Sequence, residues 1–251
     1  MSLSLDLARL LDSAFWFYDA GIEKPDPWQV AAMRSESKRQ LWNVHRQGGK
    51  STTAGLKAIE KAVSAPNSPV LVISPSQRQS AETVRTCLGL HSKVPGLPRI
   101  ISESTHRLEF ENQSRVISLP SSETTVRGFA KVALLILDEA SRIPDDIVAA
   151  CRPMLAISDG AILALSTPQG QRGFFHDWWT TGGDEWERTQ VTAEQCSRIS
   201  KRFLADERKA LGEAMFRQEY LCEFIENNEQ VFPSQIIRDA FTTEVKPLWA
   251  A

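Results

Sequence analysis

Residues 41–52 decide the fold of this chain, and they read LWNVHRQGGKST. Residues 41–44 have the apolar character of a short buried strand, and the residues from Lys50 to about Ser64 place apolar side chains at helical spacing. A glycine-bearing turn therefore joins a predicted strand to a predicted helix. This order of elements is the one that a phosphate-binding loop requires.

The turn has the chemistry that binds a phosphate chain. Its backbone N–H groups and the amino end of the following helix favour negative charge, and Gly48 and Gly49 let the main chain approach without a Cβ clash. Lys50 would bridge the β- and γ-phosphates, and the Ser51 hydroxyl would bind Mg²⁺. Val44 stands where the standard GxxxxGK[ST] pattern has its first glycine. On these residues alone, a glycine turn capped by Ser51 is the alternative.

A second motif lies at residues 134–140, which read LLILDEA. Residues 132–137 are an unbroken apolar run, which is typical of a strand buried on both faces. Asp138 and Glu139 follow at its carboxyl end, the edge at which open α/β sheets bind ligands. Asp138 would hold Mg²⁺ and Glu139 would polarise an attacking water, whereas helix capping by Asp138 is the alternative. The two motifs together predict one nucleotide site.

The rest of the chain alternates short apolar runs with helical patterns. This alternation predicts an α/β fold with a mainly parallel central sheet flanked by helices. The further predicted elements are a strand at 70–73, a helix at about 77–90, an antiparallel hairpin at a sheet edge at 106–118 and a strand at 161–165.

The last part of the chain reads as a small helical subdomain. A helix is predicted over about 200–225, because Phe216, Tyr220 and Phe224 recur every four residues and give it one apolar face. The predicted domains are a core over residues 1–190 and a helical lid with the start of a linker over 191–251.

The bulk composition is that of an ordinary globular protein. Of 251 residues, 42% are hydrophobic and 24% are charged, and no apolar run approaches the roughly 20 residues that a membrane span needs. The chain starts without a basic leader, so a cytoplasmic-type protein is expected. The four cysteines form no CxxC pair, which disfavours structural zinc.

The formal net charge of -2 means that any contact with DNA must come from a local basic patch. Arg198, Lys201 and Arg202 form one such cluster. A solvated helix face explains these three residues equally well.

Residues 26–29 read DPWQ and predict the start of a helix. Asp26 is a favourable N-cap, and Pro27 is a favourable first helical residue. Gln29 then falls at the third helical position, where it can complete a capping arrangement. The functional alternative is an amide that pairs with adenine.

These motifs resemble the ATPase domain of viral large terminases, the motors that pump DNA into capsids. The family's phosphate loop reads roughly SRQxGK[ST], with an arginine and without the first glycine. Here the loop reads HRQGGKS, so that His45 alone departs from the usual serine. The stretches LLILDEA, LALSTP (163–168) and FRQEYLCEF (216–224) are also similar to the family, and the resemblance covers nearly the whole chain.

The resemblance implies a P-loop NTPase fold that uses ATP and Mg²⁺, with Glu139 as the catalytic carboxylate that activates water. Arg46 would sense the γ-phosphate, and Arg127 would reach into a neighbouring subunit's site, although a surface salt bridge is the alternative for Arg127. Ser166 and Thr167 would couple hydrolysis to movement, or simply end a strand. The implied nucleotide-binding residues are Trp28, Gln29, Arg46, Gln47, Gly48, Gly49, Lys50, Ser51 and Thr52, and the implied metal ligands are Ser51 and Asp138.

The resemblance also implies partners. These are double-stranded DNA, a capsid portal, a small terminase subunit and further copies of the chain in a ring, with no membrane involved. The implied location is the cytoplasm of an infected host cell, docked on the procapsid. Large terminases carry a nuclease domain after the motor, and this chain ends at Ala251, shortly after Val231-Phe232-Pro233. An excised motor domain or natural fragment without nuclease activity is therefore expected.

Two other functions are compatible with the same motifs. A DEAD-box-like helicase has a similar set, but it needs two tandem domains of this type, and the chain has room for one. A regulatory module that binds nucleotide without hydrolysis is the other alternative, and Glu139 argues against it because such a site needs no water-activating acid.

Overall fold

An eight-stranded sheet forms the centre of the computed structural model, which describes residues 3–122, 126 and 128–226. The sheet order is β3-β4-β5-β2-β6-β7-β1-β8. The strands from β5 to β8 in this order run parallel, and β3 and β4 are antiparallel additions at one side. The bounds are β1 Arg39–Val44, β2 Pro69–Ser74, β3 Ile100–Ser104, β4 Arg107–Phe110, β5 Arg115–Pro120, β6 Leu134–Asp138, β7 Ala161–Ser166 and β8 Glu187–Val191.

Helices cover both faces of the sheet. Adjacent residues of one strand point to opposite faces, so Trp42 packs into one hydrophobic cluster with α4 and α5, whereas Leu41 packs into a second with α6 and α7. This two-sided burial explains why the central strands are almost continuously apolar. The helices are α1 Leu3–Leu11, α2 Phe15–Asp19, α3 Pro27–Arg34, α4 Lys50–Ser64, α5 Gln77–His91, α6 Asp145–Cys151, α7 Gly173–Thr181, α8 Lys201–Leu211 and α9 Glu213–Leu221.

The strand order positions the two sequence motifs. The carboxyl ends of β1 and β6 lie on the same side of the sheet, because both strands run parallel to β7, which lies between them. Strand β7 lies between them, with Ser166 opposite Asn43 of β1 and Leu165 opposite Asp138 of β6. The phosphate loop, the acid pair and the end of β7 therefore meet at one place, and the predicted α/β fold is confirmed.

Two of the sequence-based expectations need correction, and strand β8 was missed. The hairpin of β4 and β5 is present, but it is not at the edge, because β3 pairs with β4 and β5 pairs with β2. Strand β8 was not predicted, because ERTQV is largely polar and the strand pairs with β1 alone. The helix predicted over about 200–225 is two helices, since Gly212 adopts a left-handed φ of 77° between them.

The aromatic periodicity in that region was misleading. Phe216 and Tyr220 do stack within α9, with ring centroids 5.1 Å apart. Phe224 lies beyond the helix end and packs on Phe175 and Trp179 of α7. It belongs to the sheet core and not to the helical subdomain.

The helical subdomain has a small apolar centre of its own. Ala193, Leu204, Phe216 and Tyr220 form a cluster separate from the two that sandwich the sheet. Residues 227–251, which were predicted to continue the lid and the linker, lie outside the described residues. None of the helices described here is long and apolar enough to cross a bilayer.

Glu60 of α4 gives a test of the fold through pH. Burial raises its pKa from 4.5 to about 6, although Lys57 and Lys61 oppose the shift. The folded state therefore holds the proton more tightly than the unfolded chain, and the free energy of unfolding falls as pH rises from about 4.5 to about 6. We expect Glu60→Gln to raise the free energy of unfolding by about 1–2 kcal/mol at pH 8 and to leave it unchanged at pH 4.

Urea titrations at the two pH values measure this difference. The matched control is Glu82→Gln on α5, an exposed carboxylate that pairs with Arg85. An equal effect of Glu60→Gln at both pH values would show that burial of the charge is not the cause.

Candidate nucleotide-binding site

The phosphate loop, residues 45–49, connects β1 to α4 and depends on both of its glycines. Gly49 has a φ of 88°, in the left-handed region, and a Cβ there would lie 2.7 Å from Nε2 of Gln29. A Cβ on Gly48 would lie 2.5 Å from Cγ1 of Val44. Val44, which takes the place of the usual first glycine, is fully buried, so its side chain occupies space that the loop must leave free. Gly48 supplies that space.

Lys50 begins α4 with a buried ammonium group. Only 7% of the residue is exposed, and Nζ donates hydrogen bonds to the carbonyl oxygens of Val44 (2.6 Å) and His45 (3.1 Å). Burial lowers the pKa of Lys50, and the negative charge of Glu139 and the nearby Asp138 oppose that shift. The ammonium group from the first motif therefore lies within electrostatic reach of both acids of the second.

The acid pair follows directly from β6. Burial, reinforced by the charge of Glu139, raises the pKa of Asp138 to about 6, and Lys50 opposes the shift. Glu139 has a φ of 53°, a left-handed conformation that is uncommon outside glycine and that turns the chain sharply at the strand end. Asp138 and Ser51 line the same small cavity between β6 and α4. A carboxylate and a hydroxyl are hard oxygen donors, which Mg²⁺ prefers when substrate phosphates complete its shell, so these residues fit the implied metal.

The remaining loop residues lie at the mouth of the site. The side chains of Arg46, Gln47 and Ser51 are exposed, and Thr52 is half-buried. Gln47 also has a positive φ, of 60°. The side chain of Arg46 is exposed, and its backbone N–H donates to the carbonyl oxygen of Glu219 at 3.1 Å.

Gln29 serves the protein itself in this structure. Its Oε1 accepts a hydrogen bond from the backbone N–H of Asp26 at 2.8 Å, which is the predicted capping contact. Its Nε2 donates to Oγ1 of Thr53 at 2.8 Å, and Thr53 donates in turn to the carbonyl oxygen of Gly49. Gln29 therefore ties the start of α3 to the phosphate loop, and a contact with adenine stays a proposal. Trp28 is buried beside it, edge-on to Trp42 at 5.7 Å.

Ser166 and Thr167 lie at the carboxyl end of β7 and take part in side-chain hydrogen bonds. Oγ of Ser166 lies 2.7 Å from Oγ of Ser141, which donates to the carbonyl oxygen of Thr167 at 2.8 Å. Oγ1 of Thr167 donates to Oε2 of Glu219 at 3.2 Å. These contacts join the segment after β6, the end of β7 and α9 into one polar network.

His45, the departure from the family's serine, is a packing residue of the loop. It is 1% exposed, and its Nδ1 lies 2.7 Å from the carbonyl oxygen of Arg46. Burial lowers the pKa of His45, which favours a neutral ring whose Nδ1–H donates to that carbonyl. The ring also lies close to Gly48, since Nε2 is 3.1 Å from the position of a Cβ there.

Sequence reasoning missed several residues of the site. Ser141, Thr53 and Glu219 were not predicted, although Glu219 lies in the stretch FRQEYLCEF that had shown a family resemblance. Arg127, predicted to act on a neighbouring subunit, lies outside the described residues. The basic cluster is partly paired: Arg198 contacts Asp26 at 2.5 Å.

Comparison with known proteins identifies the class that this fold and site define. The model of the family "Terminase large subunit, T4likevirus-type, N-terminal" matches residues 45–239, and the chain belongs to this family. It is similar to the large terminase subunit of Thermus virus P23-45, with 26% identity over 83% of this chain and 50% of the relative. The chain thus spans about half the length of the curated relatives it matches.

Solved structures agree on the fold. The large terminase ATPase domain of Thermus phage P74-26 has a TM-score of 0.71 and 25% identity, and the match covers 83% of this chain and 97% of that one. The large terminase of the thermophilic bacteriophage D6E, solved in complex with ADP, has a TM-score of 0.63 and 14% identity over 84% of this chain and 51% of that one. This second likeness shows the fold alone.

The contact between Val44 and Gly48 can be tested without any ligand. We expect Gly48→Ala to lower the free energy of unfolding by about 1–3 kcal/mol, because the added Cβ overlaps Cγ1 of Val44. Combining it with Val44→Ala removes the overlapping atom, so the double variant should lose about 1 kcal/mol less than the sum of the two single changes. Urea titrations of the four proteins measure the coupling.

Gly89→Ala is the matched control, since a Cβ there meets nothing within 4 Å and the position is helical. It should leave stability equal or higher. Strict additivity of the changes at 44 and 48 would mean that the loop relaxes away from Val44.

Proposed function

We propose that this chain is the motor domain of a large terminase, a Mg²⁺-dependent ATPase that drives double-stranded DNA into a capsid. The observation that carries the proposal is the convergence of Lys50 with Asp138 and Glu139 at one sheet edge. Membership of the terminase large subunit family supports the packaging role. The relative from phage D6E was solved with ADP, which supports a nucleotide as the ligand.

Nucleotide binding begins with the phosphate loop. Its glycines leave the main chain open to the phosphates, and the start of α4 favours their charge. The ammonium group of Lys50 exchanges its carbonyl partners for the β- and γ-phosphates. Ser51 and Asp138 hold Mg²⁺, which neutralises charge that develops on the phosphate oxygens. Gln29 and Trp28 lie next to the adenine base of the nucleotide. Gln47 and Thr52 complete the contacts between the loop and the phosphates.

Hydrolysis needs a water that is oriented and partly deprotonated. Glu139 accepts a hydrogen bond from that water and directs it in line with the bond between the γ-phosphate and ADP. Arg46, exposed at the mouth, stabilises the charge on the γ-phosphoryl group from the same chain. Arg127 does so from a neighbouring subunit, which makes hydrolysis depend on assembly. Ser166 and Thr167 couple the hydrolysis of ATP in the site to movement of the rest of the domain.

The partners follow from the same proposal. The working form is a homo-oligomeric ring, docked on the portal of a procapsid in the host cytoplasm, with a small terminase subunit and double-stranded DNA.

The role of Glu139 is tested by Glu139→Gln. This change keeps the shape of the side chain and removes the base, so we expect kcat to fall by about 10²- to 10⁴-fold while the Kd for ATP with Mg²⁺ changes little. Steady-state turnover and calorimetric titration measure the two quantities. Glu103→Gln, at an exposed position of the distant strand β3, is the control and should behave as the wild type. Wild-type turnover in Glu139→Gln would assign the reaction to another group.

The role of Arg127 is tested by mixing two inactive variants. Lys50→Ala cannot hold the phosphates but still offers Arg127, whereas Arg127→Ala keeps an intact site but lacks the arginine. If Arg127 acts between subunits, a mixture should regain turnover that neither variant shows alone, with a maximum near equal proportions. The assay requires protein concentrations at which the specific activity of the wild type has reached its plateau. Mixtures that never exceed the separate variants would place Arg127 in its own subunit's site or outside catalysis.

A strand-displacement assay separates this proposal from a helicase. A packaging motor moves along duplex DNA without separating its strands, so we expect ATP turnover without unwinding. Processive unwinding by this chain alone would favour the helicase.

A further inference from the structure

A buried glutamate outside the predicted site contacts three segments that surround it. Glu219, on α9, is 4% exposed. Its backbone oxygen accepts from the N–H of Arg46 (3.1 Å), and its Oε2 accepts from Oγ1 of Thr167 (3.2 Å). Its Oε1 lies 3.7 Å from Nη2 of Arg142, which follows the acid pair in the chain. One residue of the helical subdomain thus meets the phosphate loop, the end of β7 and the segment after β6.

Glu219 is a buried carboxylate on a helix whose residues Phe216 and Tyr220 belong to the apolar centre of the subdomain. A buried charge destabilises the fold unless polar partners compensate it. Here the polar partners of the carboxylate are Thr167, at the end of β7, and Arg142, in the segment after the acid pair. Glu219 is therefore placed to respond to the arrangement of the nucleotide site.

Cys222, which follows the last residue of α9, anchors the end of this helix to the sheet. Cys222 adopts a left-handed conformation with a φ of 60°. Its carbonyl oxygen accepts hydrogen bonds from Asn43 of β1 (2.8 Å) and Gln190 of β8 (3.1 Å). Its Sγ donates to the carbonyl oxygen of Val191 at 3.2 Å. The chain directly after α9 is held to the sheet at Cys222. A displacement of Glu219 therefore occurs three residues from a point at which the chain is fixed.

Helix α9 is also held to the neighbouring helix α8 by side-chain contacts. The hydroxyl of Tyr220 donates to Oε2 of Glu207 on α8 at 2.8 Å. Arg208 of α8 stacks over the ring of Phe216, 4.5 Å from its centroid. The two helices therefore pack as one unit, and Glu219 lies at the side of this unit that faces the nucleotide site.

We propose that Glu219 is a positioning residue that links the coupling strand end at Thr167 and the phosphate loop to the helical subdomain. A change in the position of Thr167 or of the Arg46 amide then moves α8 and α9 together. Glu219 touches none of the reacting atoms and acts through these two partners. The nucleotide-dependent part of this inference rests on the proposed ATPase function, whereas the link itself is a property of the protein without ligand.

The link is tested first in the ligand-free protein. Thr167→Val removes the donor, and Glu219→Met removes the acceptor while it keeps the length of the side chain. We expect each change to speed hydrogen exchange of the amides at 213–222 by about tenfold, as loss of one hydrogen bond to a charged group implies. The double variant should show no further increase. Multiplicative effects of the two changes would overturn the link, whether or not the chain hydrolyses ATP.

The functional part is tested by kinetics. We expect Glu219→Met to lower kcat by about 10- to 100-fold with the KM for ATP within threefold of the wild type. Glu219→Gln, which keeps an acceptor for Thr167, should restore most of the loss. Glu223→Gln is the matched control, because Glu223 pairs with Arg217 at the surface just beyond the same helix. ATPγS should also alter hydrogen exchange at 201–221 in the wild type and in Glu223→Gln, but not in Glu219→Met.

The outcomes separate the two proposals. A wild-type protein that neither binds nor hydrolyses ATP would end the ATPase proposal, and the ligand-free cycle would still decide the link. Wild-type kcat in Glu219→Met would overturn the functional part. A parallel loss of Tm, nucleotide affinity and kcat that Glu219→Gln does not rescue would assign Glu219 to folding alone.

Discussion

The buried ammonium group of Lys50 is the interaction on which the site depends. It donates to the last carbonyl of β1 and the first carbonyl of the phosphate loop, and it lies in the field of Asp138 and Glu139. A positive charge in this position allows two adjacent acids to lie at one strand end, because it offsets part of their mutual repulsion. The same charge leaves the loop ready for an anionic ligand, whose phosphates offer stronger partners than carbonyl oxygens.

The order of the strands brings the phosphate loop, the acid pair and the end of β7 together at one place, which we call the junction. Because β7 lies between β1 and β6, its end at Ser166 is enclosed by the phosphate loop on one side and the acid pair on the other. The hydroxyls of Ser141 and Thr167 complete a polar network across the strand ends. Through Thr167, which donates to Glu219, the network also connects the end of β7 with α9.

The helical subdomain is attached to that junction and not merely packed beside the sheet. Glu219 meets Thr167 and the Arg46 amide, and Cys222 is held by Asn43 and Gln190. A motor must convert a small change at a phosphate into a larger movement, and rigid elements attached close to the site provide such a lever. Membership of the terminase large subunit family fits such an arrangement, and the coupling of hydrolysis to movement is part of the function proposed above.

The sequence by itself determined the elements whose signals are local. The β1–loop–α4 unit and strand β6 were predicted within a few residues, because glycine placement and apolar periodicity act over short stretches of chain. The tertiary structure alone decided which strand lies between them, where the polar strand β8 pairs and that Glu219 reaches Thr167. It also showed that Gln29 binds Thr53 as well as the Asp26 amide, and that Gly212 divides the last helix. These features depend on contacts between residues far apart in sequence, and no local propensity encodes the partner that a side chain meets when distant strands come together.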